Sequence, residues 1–216
     1  MRISPSCPSC SSWLVITVLF SMELRPIILG SASERRRNIL RAMGVDFEVV
    51  IPDVDEVSRD EDPRRTAAEN AVRKNEWCRK RYPNRRVLTA DTVIEFKERV
   101  IGKPSSMQDA EAFFKMFSGN RHTVITAVAY SVPGSEPVVK AVESSVLFKT
   151  ISDETIRAYF SRVNPLDKAG AYDIDQSGDL IVESFSGSRT NIMGLPAEEV
   201  KGMLNLVSVV GLPRRR

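Results

Sequence analysis

The stretch from Ile27 to Gly44, IILGSASERRRNILRAMG, constrains the fold of this chain more than any other. An apolar run breaks at Gly30 into a turn of small residues, and apolar residues then recur at helical spacing up to Gly44. Glycine readily takes the left-handed conformation that ends a helix, and Ser31 or Ser33 can cap the start. The stretch therefore predicts a short strand, a tight turn and a helix, for which the rest of the chain must supply partners.

Three arginines, Arg35, Arg36 and Arg37, open this predicted helix. They lie at the positive end of the helix dipole, where acidic residues are preferred by a few tenths to about 1 kcal/mol each. A strand, a Ser/Gly turn and a helix N-terminus present free backbone N–H groups, so guanidinium groups added there make a phosphate site. The alternative is that three solvated arginines happen to begin a helix.

The composition is that of a soluble globular protein, with 42% hydrophobic and 27% charged residues among 216. A net charge of +3 is too slight to indicate a nucleic-acid binder, although 214–216 is a basic tail. With three cysteines and one histidine, His122, the chain can form neither a disulfide framework nor a structural zinc site. Cys7 and Cys10 precede any strand and helix pair, which disfavours a redox role, and a reducing compartment fits best.

Residues 1–25 contain an apolar run, Trp13 to Phe20, that resembles the core of a signal peptide. The run is too short to span a membrane, only Arg2 precedes it as a basic residue, and Met22 offers a second start. We expect residues 1–25 to be an extension outside the fold, with a cleaved signal peptide as the alternative, and we expect a cytoplasmic protein without a membrane partner.

Hydrophobic periodicity and capping residues predict most of the remaining elements. Strands are expected at 47–51, 87–90, 93–96, 122–132 and 138–148, and helices at 62–81, 106–117, 152–162 and 197–209. Segment 165–172 is expected to be a loop and then a strand, 173–185 a hairpin, and 191–196 a turn. His122 has no second histidine beside it, so a hydrogen-bonded structural role is expected.

Several polar residues stand where a purely structural element would not need them. Lys74 shares the apolar face of the helix at 62–81 with Ala67 and Ala71, so that its ammonium group either reaches a cleft or snorkels to solvent. Asp91 and Thr92 directly follow the strand at 87–90, at the strand end where open α/β sheets bind ligands. A carboxylate there can hold Mg²⁺ or take a proton from water, and the alternative is an aspartate that caps a turn.

Two further loops carry charge. The loop after the strand at 47–51 holds Asp53, Asp55 and Glu56, which could bind a divalent cation or simply be solvated. Lys103 stands on a tight turn between glycine and proline, and Lys168 is the one cation of segment 165–172.

In order and spacing, these motifs resemble those of the Maf family of nucleoside triphosphate pyrophosphatases. The matching residues run from position 26 to about 209 and leave 1–25 outside, so one domain is expected over 26–216. They are SASERRRNIL at 31–40, VDE at 54–56, Lys74, ADTVI at 90–94, GKP at 102–104, SGNRHTVITAV at 118–128, DKAGAYDI at 167–174 and GLP at 194–196.

The resemblance implies an α/β fold with a mixed twisted sheet, flanking helices and two lobes around a nucleotide-binding cleft, as in ITPase-like proteins. It implies that water attacks the α-phosphorus of a nucleoside triphosphate, with Asp91 as proton acceptor and with Mg²⁺, Mn²⁺ or Co²⁺ held by Glu56 and Asp91. A homodimer is expected, whereas a stable nucleic-acid partner is not. The alternative function is that of a non-catalytic, nucleotide-binding regulator of cell division. The expected substrate-binding residues are Ser31, Ser33, Arg35, Arg36, Lys74, Thr92, Lys103, Lys168, Asp175 and Gln176.

Arg36 and Thr92 resemble the family's dTTP/UTP group, which implies action on dTTP, UTP and modified pyrimidine nucleotides. Asp175 stands where that group has glutamine, and Gln176 follows it. An ionised aspartate only accepts hydrogen bonds, so either Gln176 serves in its place or the base preference has moved. Glu34 replaces the family's proline at the helix start, and we expect it to point away from the site or to pair with an arginine; Arg37 is expected in solvent.

Overall fold

The structure is a computed structural model that describes residues 25–58 and 62–210. A seven-stranded mixed sheet forms its centre. The strand order is β2-β1-β3-β5-β6-β7, with β4 paired to β3. β1 lies parallel to β2 and β3, and the other neighbours are antiparallel. The strands are β1 (Ile27–Gly30), β2 (Phe47–Val50), β3 (Val87–Phe96), β4 (Arg99–Ile101), β5 (Arg121–Ser131), β6 (Val138–Phe148) and β7 (Val182–Ser186).

The helices begin where the capping residues predict. The side chains of Ser33, Asp62, Ser106 and Ser152 each accept a hydrogen bond from the backbone N–H three residues on. Gly44 follows the first helix with a φ of 69°, as its predicted role requires. The helices are α1 (Glu34–Ala42), α2 (Pro63–Arg81), α3 (Met107–Phe117), α4 (Asp153–Phe160), α5 (Arg189–Ile192) and α6 (Ala197–Val210), and 3₁₀ turns cover Ala169–Ala171 and Gly178–Leu180.

The two largest of the four hydrophobic clusters in the described residues mark two lobes that share the sheet. One is built around the aromatic side chains of Phe114, Phe148 and Tyr159, and the other around aliphatic residues such as Leu40 and Leu195. β3 and β5 contribute to both clusters. The mixed sheet, the flanking helices and the two lobes confirm the predicted fold class.

β3 differs from its prediction, because 87–96 is one continuous strand and Asp91 and Thr92 lie inside it. β1 pairs with β3 only as far as Gly30 and Thr89, and β4 begins to pair at Ile94. Between these points, residues 90–93 of β3 pair with β5 on one side, and no strand within the described ranges covers the other side. We call this stretch, residues 90–93, the edge gap. The polar residues belong to the edge gap instead of following a strand end.

The predictions for 165–185 were wrong in part: the loop at 165–168 and a strand near 182–185 are present, but the strand before 172 and the hairpin are not. Gly170 and Ala171 both have positive φ, 66° and 67°, and form a 3₁₀ turn in place of a strand. Gly170 donates its N–H to the carbonyl of Gly102 at 2.9 Å, and a Cβ at Gly170 would overlap Ile94 Cδ1. β7 pairs with β6 instead of forming a hairpin with 173–176, and α5 takes up the first part of the predicted turn at 191–196.

His122 has the structural role that its isolation predicts. Its Nε2 lies 2.8 Å from the hydroxyl of Tyr172, and its ring packs against Phe117 with the centroids 4.4 Å apart. Burial lowers the pKa of His122 from 6.5 to about 3, so the ring is neutral at physiological pH. The hydrogen bond ties β5 to the segment that carries residues 172–176.

Several sequence features fall outside the described residues: the predicted extension up to residue 24, with Cys7 and Cys10, and the basic tail at 214–216. Across the described ranges, none of the helices has both the length and the apolar character that crossing a bilayer requires.

Candidate active site

A cleft of about 680 Å³ opens at the edge gap, between the start of α1, the loop 51–58, α2 and the segment 167–176. Its lining contains nearly all of the residues that the sequence predicted for the site. They are Ser31, Ser33, Arg35, Arg36, Glu56, Lys74, Asp91, Thr92, Lys103, Lys168 and Gln176. Asp175 does not line the cleft, whereas six polar residues that were not predicted for the site do: Glu34, Ser58, Thr66, Asn70, Asp167 and Asp173.

Asp91, Lys74 and Glu56 form the charged centre of the cleft. Lys74 Nζ lies 2.6 Å from Asp91 Oδ1 and 2.6 Å from Glu56 Oε1. Burial alone would raise the pKa of Glu56, but Lys74 next to it, with Lys103 and Arg36 farther away, holds that pKa below its ordinary value. Lys74 therefore reaches the cleft instead of snorkelling to solvent.

The two carboxylates of this set could hold a divalent cation. Glu56 and Asp91 converge on one ammonium group, so the space between them already accepts a positive charge. Mg²⁺ is commonly held by one or two carboxylates together with substrate phosphates and water. Glu56 and Asp91 match that donor set, and no cluster of three or more acidic, cysteine or histidine ligands occurs among the residues that the structure describes.

Arg36 reaches the edge gap, and its guanidinium group is held by hydrogen bonds to three protein groups. Its Nε donates to the carbonyl of Gly194 at 2.7 Å, and its two terminal nitrogens donate to Ser31 Oγ at 3.2 Å and Thr92 Oγ1 at 3.0 Å. Thr92 in turn donates to Thr126, whose hydroxyl donates to a backbone carbonyl. Burial lowers the pKa of Arg36, yet an arginine keeps its charge at neutral pH. Arg36 and Thr92 thus line the cleft as parts of one network that joins α1 to β3.

The other charged residues at the start of α1 all contact protein groups, and of them Glu34 and Arg35 also line the cleft. Arg35 points to the cleft wall, where its guanidinium contacts the carbonyl of Tyr172 at 3.4 Å and Asp173 Oδ2 at 3.7 Å. Glu34 pairs with Arg37 and Arg41, each at 3.0 Å, which confirms that it turns to an arginine. Arg37 also donates to the Ala32 carbonyl at 2.8 Å; it does not line the cleft, and on the outer side of α1 it is paired with protein groups.

The opposite wall of the cleft is formed by segment 167–176. Lys168 Nζ donates to Asp167 Oδ1 at 2.6 Å and to the Asn164 carbonyl at 3.0 Å, and Gln176 donates to Asp173 Oδ2 at 3.3 Å. Asp175 turns away and forms an ion pair with Arg189, with Oδ1 2.6 and 2.8 Å from two guanidinium nitrogens.

The prediction that Asp175 lines the site was therefore wrong. The ion pair with Arg189 gives the Asp175 carboxylate a cationic partner outside the cleft. This leaves Gln176, one position later, as the residue of the two that faces the cleft.

The lining carries as many carboxylates as cations. Lys74, Arg35 and Lys168 each lie against a carboxylate, whereas Lys103 and Arg36 form no ion pair within the described part of the chain. A polyphosphate entering the cleft therefore meets little net positive charge from side chains alone. The cations are Arg35, Arg36, Lys74, Lys103 and Lys168, and the acidic residues are Glu34, Glu56, Asp91, Asp167 and Asp173.

Of the residues that sequence reasoning missed, two left a detectable signal. Thr66 and Asn70 precede Lys74 at intervals of four, so the three form a polar stripe on one face of α2. Asp173 left none, because its position in the cleft depends on the left-handed turn at 170–171, which the sequence pattern does not reveal.

Fold and cleft together define a mixed α/β protein with a cleft at an open sheet edge, lined by charged side chains of both signs. The chain belongs to the family of Maf-like proteins, whose family profile matches residues 26–207.

Curated relatives cover most of this chain and most of their own length. A protein of Dictyoglomus thermophilum named dTTP/UTP pyrophosphatase is 38% identical over 184 residues, which is 84% of this chain and 95% of the relative. Relatives of the same name from Symbiobacterium thermophilum and Syntrophus aciditrophicus are 38% and 39% identical, over 84% and 83% of this chain and 93% and 88% of their own.

Two solved structures share the fold. The Ham1 protein of Staphylococcus aureus is 18% identical, with a TM-score of 0.50 over 83% of this chain and 100% of its own. A HAM1 protein of Coxiella burnetii is 13% identical, with a TM-score of 0.50 over 85% of this chain and 100% of its own.

Proposed function

We propose that this chain is a metal-dependent nucleoside triphosphate pyrophosphatase that hydrolyses dTTP, UTP and modified pyrimidine nucleotides to the monophosphate and pyrophosphate. The observation that carries the proposal is the set of Asp91, Lys74 and Glu56 at the edge gap, where two carboxylates and a cation face a cleft lined by further cations. The relatives named dTTP/UTP pyrophosphatase support the same reaction.

In this reaction a water oxygen forms a bond to the α-phosphorus, and the bond from that phosphorus to the bridging oxygen of pyrophosphate breaks. Asp91 accepts the proton of the attacking water. Charge spreads over the phosphate oxygens in the transition state, and fixed cations such as Lys74 and Lys103 stabilise it. Lys168 has one N–H not used by Asp167 or Asn164, so its ammonium group can also meet a phosphate.

Glu56 and Asp91 are the residues that would hold a divalent cation. A bound cation adds positive charge beside the triphosphate and polarises its oxygens. The equal numbers of carboxylates and cations in the lining support a metal requirement, because the triphosphate brings several negative charges that the side chains alone do not balance.

Gln176 is the proposed reader of the base. A carboxamide both donates and accepts, which suits the N–H and carbonyl groups along a thymine or uracil edge. Asp173 only accepts hydrogen bonds, so it holds the amide nitrogen of Gln176 and leaves the amide oxygen for a ligand N–H.

Pyrophosphate release tests the function directly. We expect release from dTTP, UTP and their modified forms with Mg²⁺, Mn²⁺ or Co²⁺, slower release from CTP and purine nucleotides, and none after chelation with EDTA. Binding of dTTP without any release would contradict the enzyme and favour a nucleotide-binding regulator. The cytoplasmic location and the homodimer stay predictions; light scattering during gel filtration tests the second.

A further inference from the structure

Asn70 is a buried carboxamide, 3% exposed, one helical turn before Lys74 on α2. Its Oδ1 accepts the N–H of Val57 at 2.8 Å, and its Nδ2 donates to the Val57 carbonyl at 2.9 Å and to Asp91 Oδ2 at 3.2 Å. Both amide hydrogens are thus used, each by a different part of the site.

The two bonds to Val57 act on the loop that carries Glu56. Residues 51–58 belong to no helix or strand, so their backbone groups lack the partners that regular structure supplies. The carboxamide of Asn70 pairs with both backbone groups of Val57, as a neighbouring strand would. The position of Glu56, the preceding residue, therefore depends on a side chain of α2.

The third bond acts on Asp91. Lys74 holds Oδ1 and Asn70 holds Oδ2, so two residues one turn apart on α2 fix the plane of this carboxylate. We propose that Asn70 is a positioning residue that locks the Glu56 loop and Asp91 together, so that their carboxylates converge on one cation position. The effect on turnover rests on the proposed function, whereas the effect on the loop does not.

The structural part is tested by amide hydrogen exchange at Val57 in the metal-free protein. In the wild type we expect this amide to exchange at least tenfold more slowly than in an unstructured peptide, and in Asn70→Leu, which keeps the shape but not the hydrogen bonds, at least tenfold faster than in the wild type. The matched control is Asn75→Leu. Asn75 is also buried on α2 but bonds to β3 and β5 away from the cleft.

In Asn75→Leu the exchange of Val57 stays within about twofold of the wild type even where overall stability falls. An unprotected Val57 amide in the wild type, or equal acceleration in both variants, would overturn the proposal. The wild-type measurement decides even where Asn70→Leu does not fold.

The functional part is tested by the concentration of Mg²⁺ that gives half-maximal pyrophosphate release. We expect it to rise tenfold or more in Asn70→Leu, in line with the 10- to 100-fold cost of removing a residue that orients a metal ligand. The kcat falls more than the KM for dTTP changes, and Asn75→Leu leaves the Mg²⁺ requirement unchanged. An unchanged requirement in Asn70→Leu would overturn this part. A wild type that releases no pyrophosphate contradicts the proposed function but leaves the Val57 result intact.

Discussion

The two walls of the cleft are built in different ways. On the α2 wall, Asn70 and Lys74 of α2 hold Asp91 of β3, and Lys74 Nζ lies 2.6 Å from Asp91 Oδ1 and 2.6 Å from Glu56 Oε1 of the loop 51–58. On the opposite wall, the residues come from irregular chain, Gln176 is exposed, and its bond to Asp173 measures 3.3 Å. The proposed proton acceptor and its partners Asn70 and Lys74 thus lie on a strand and a helix, whereas the residue proposed to contact the base lies on an irregular segment, which is easier to change.

The largest effect is expected on the α2 wall from Asp91→Asn. This change keeps the size of the side chain but removes the proton acceptor and a carboxylate for the cation, so we expect kcat/KM for dTTP to fall by about 10³-fold or more. Pyrophosphate release at saturating Mg²⁺ measures it, and Asp46→Asn at an exposed position is the control. Turnover within tenfold of the wild type would contradict the assigned role.

Lys74→Met on the same wall is expected to lower kcat by about 10²-fold, since it removes one cation from a preorganised site. It also leaves Glu56 and Asp91 facing each other without their shared partner, so the pKa of Glu56 rises towards its ordinary value. Steady-state kinetics compares this variant with Lys80→Met, which changes an exposed lysine of the same helix. An equal fall of kcat in both variants would contradict the proposed role of the Lys74 charge in the cleft.

Acid is expected to weaken the support of the opposite wall. The pKa of His122 is about 3 in the folded protein against 6.5 as its ordinary value, so the unfolded chain takes up the proton first as pH falls. The stability that depends on neutral His122 is present above pH 6.5 and is lost below it, by about 2 kcal/mol between pH 7 and pH 5. Urea unfolding at both pH values measures this loss.

His122→Gln is the comparison, because it removes the chain's single histidine. The loss of stability between pH 7 and pH 5 should then be clearly smaller than in the wild type. An equal loss would assign the pH dependence to other groups.

The smallest effect is expected at Gln176 and Asp175, two neighbours on the opposite wall. Gln176→Ala removes one hydrogen-bonding group from the cleft. The loss of about 1.4 kcal/mol of binding free energy should raise the KM for dTTP by about tenfold. Asp175→Ala breaks a surface ion pair with Arg189 and should change KM less than twofold. The reverse order would show that Asp175 reads the base.

Sequence reasoning succeeded where a local pattern determines the structure. The strand, turn and helix at 27–44, the capped helices and the long strands β5 and β6 follow from periodicity and from capping residues. It failed where long-range contacts override the pattern. The polar pair Asp91 and Thr92 suggested a strand end, but pairing with β5 continues through both residues.

The predictions for the site also succeeded for residues in recognisable motifs and failed for residues whose position depends on long-range contacts. The resemblance to a family named most of the polar residues that line the cleft, including Lys74 on α2. It could not place Asp175, because the turn of its side chain to Arg189 depends on a neighbour 14 residues away. It could not find Asn70 either, since the role of that carboxamide depends on the course of the loop at 51–58.

The edge gap also bears on strand-to-strand association between copies of this chain. An uncovered strand edge is a template to which another chain can add a strand and so start aggregation. Here the edge is surrounded by charged side chains such as Arg36, Lys74 and Asp91, whose burial against an incoming strand would be costly. The charges of the residues proposed for nucleotide hydrolysis thus also oppose the pairing of another strand with the sheet edge. Variants that remove these charges should therefore be tested for self-association before a loss of activity is assigned to a loss of catalysis.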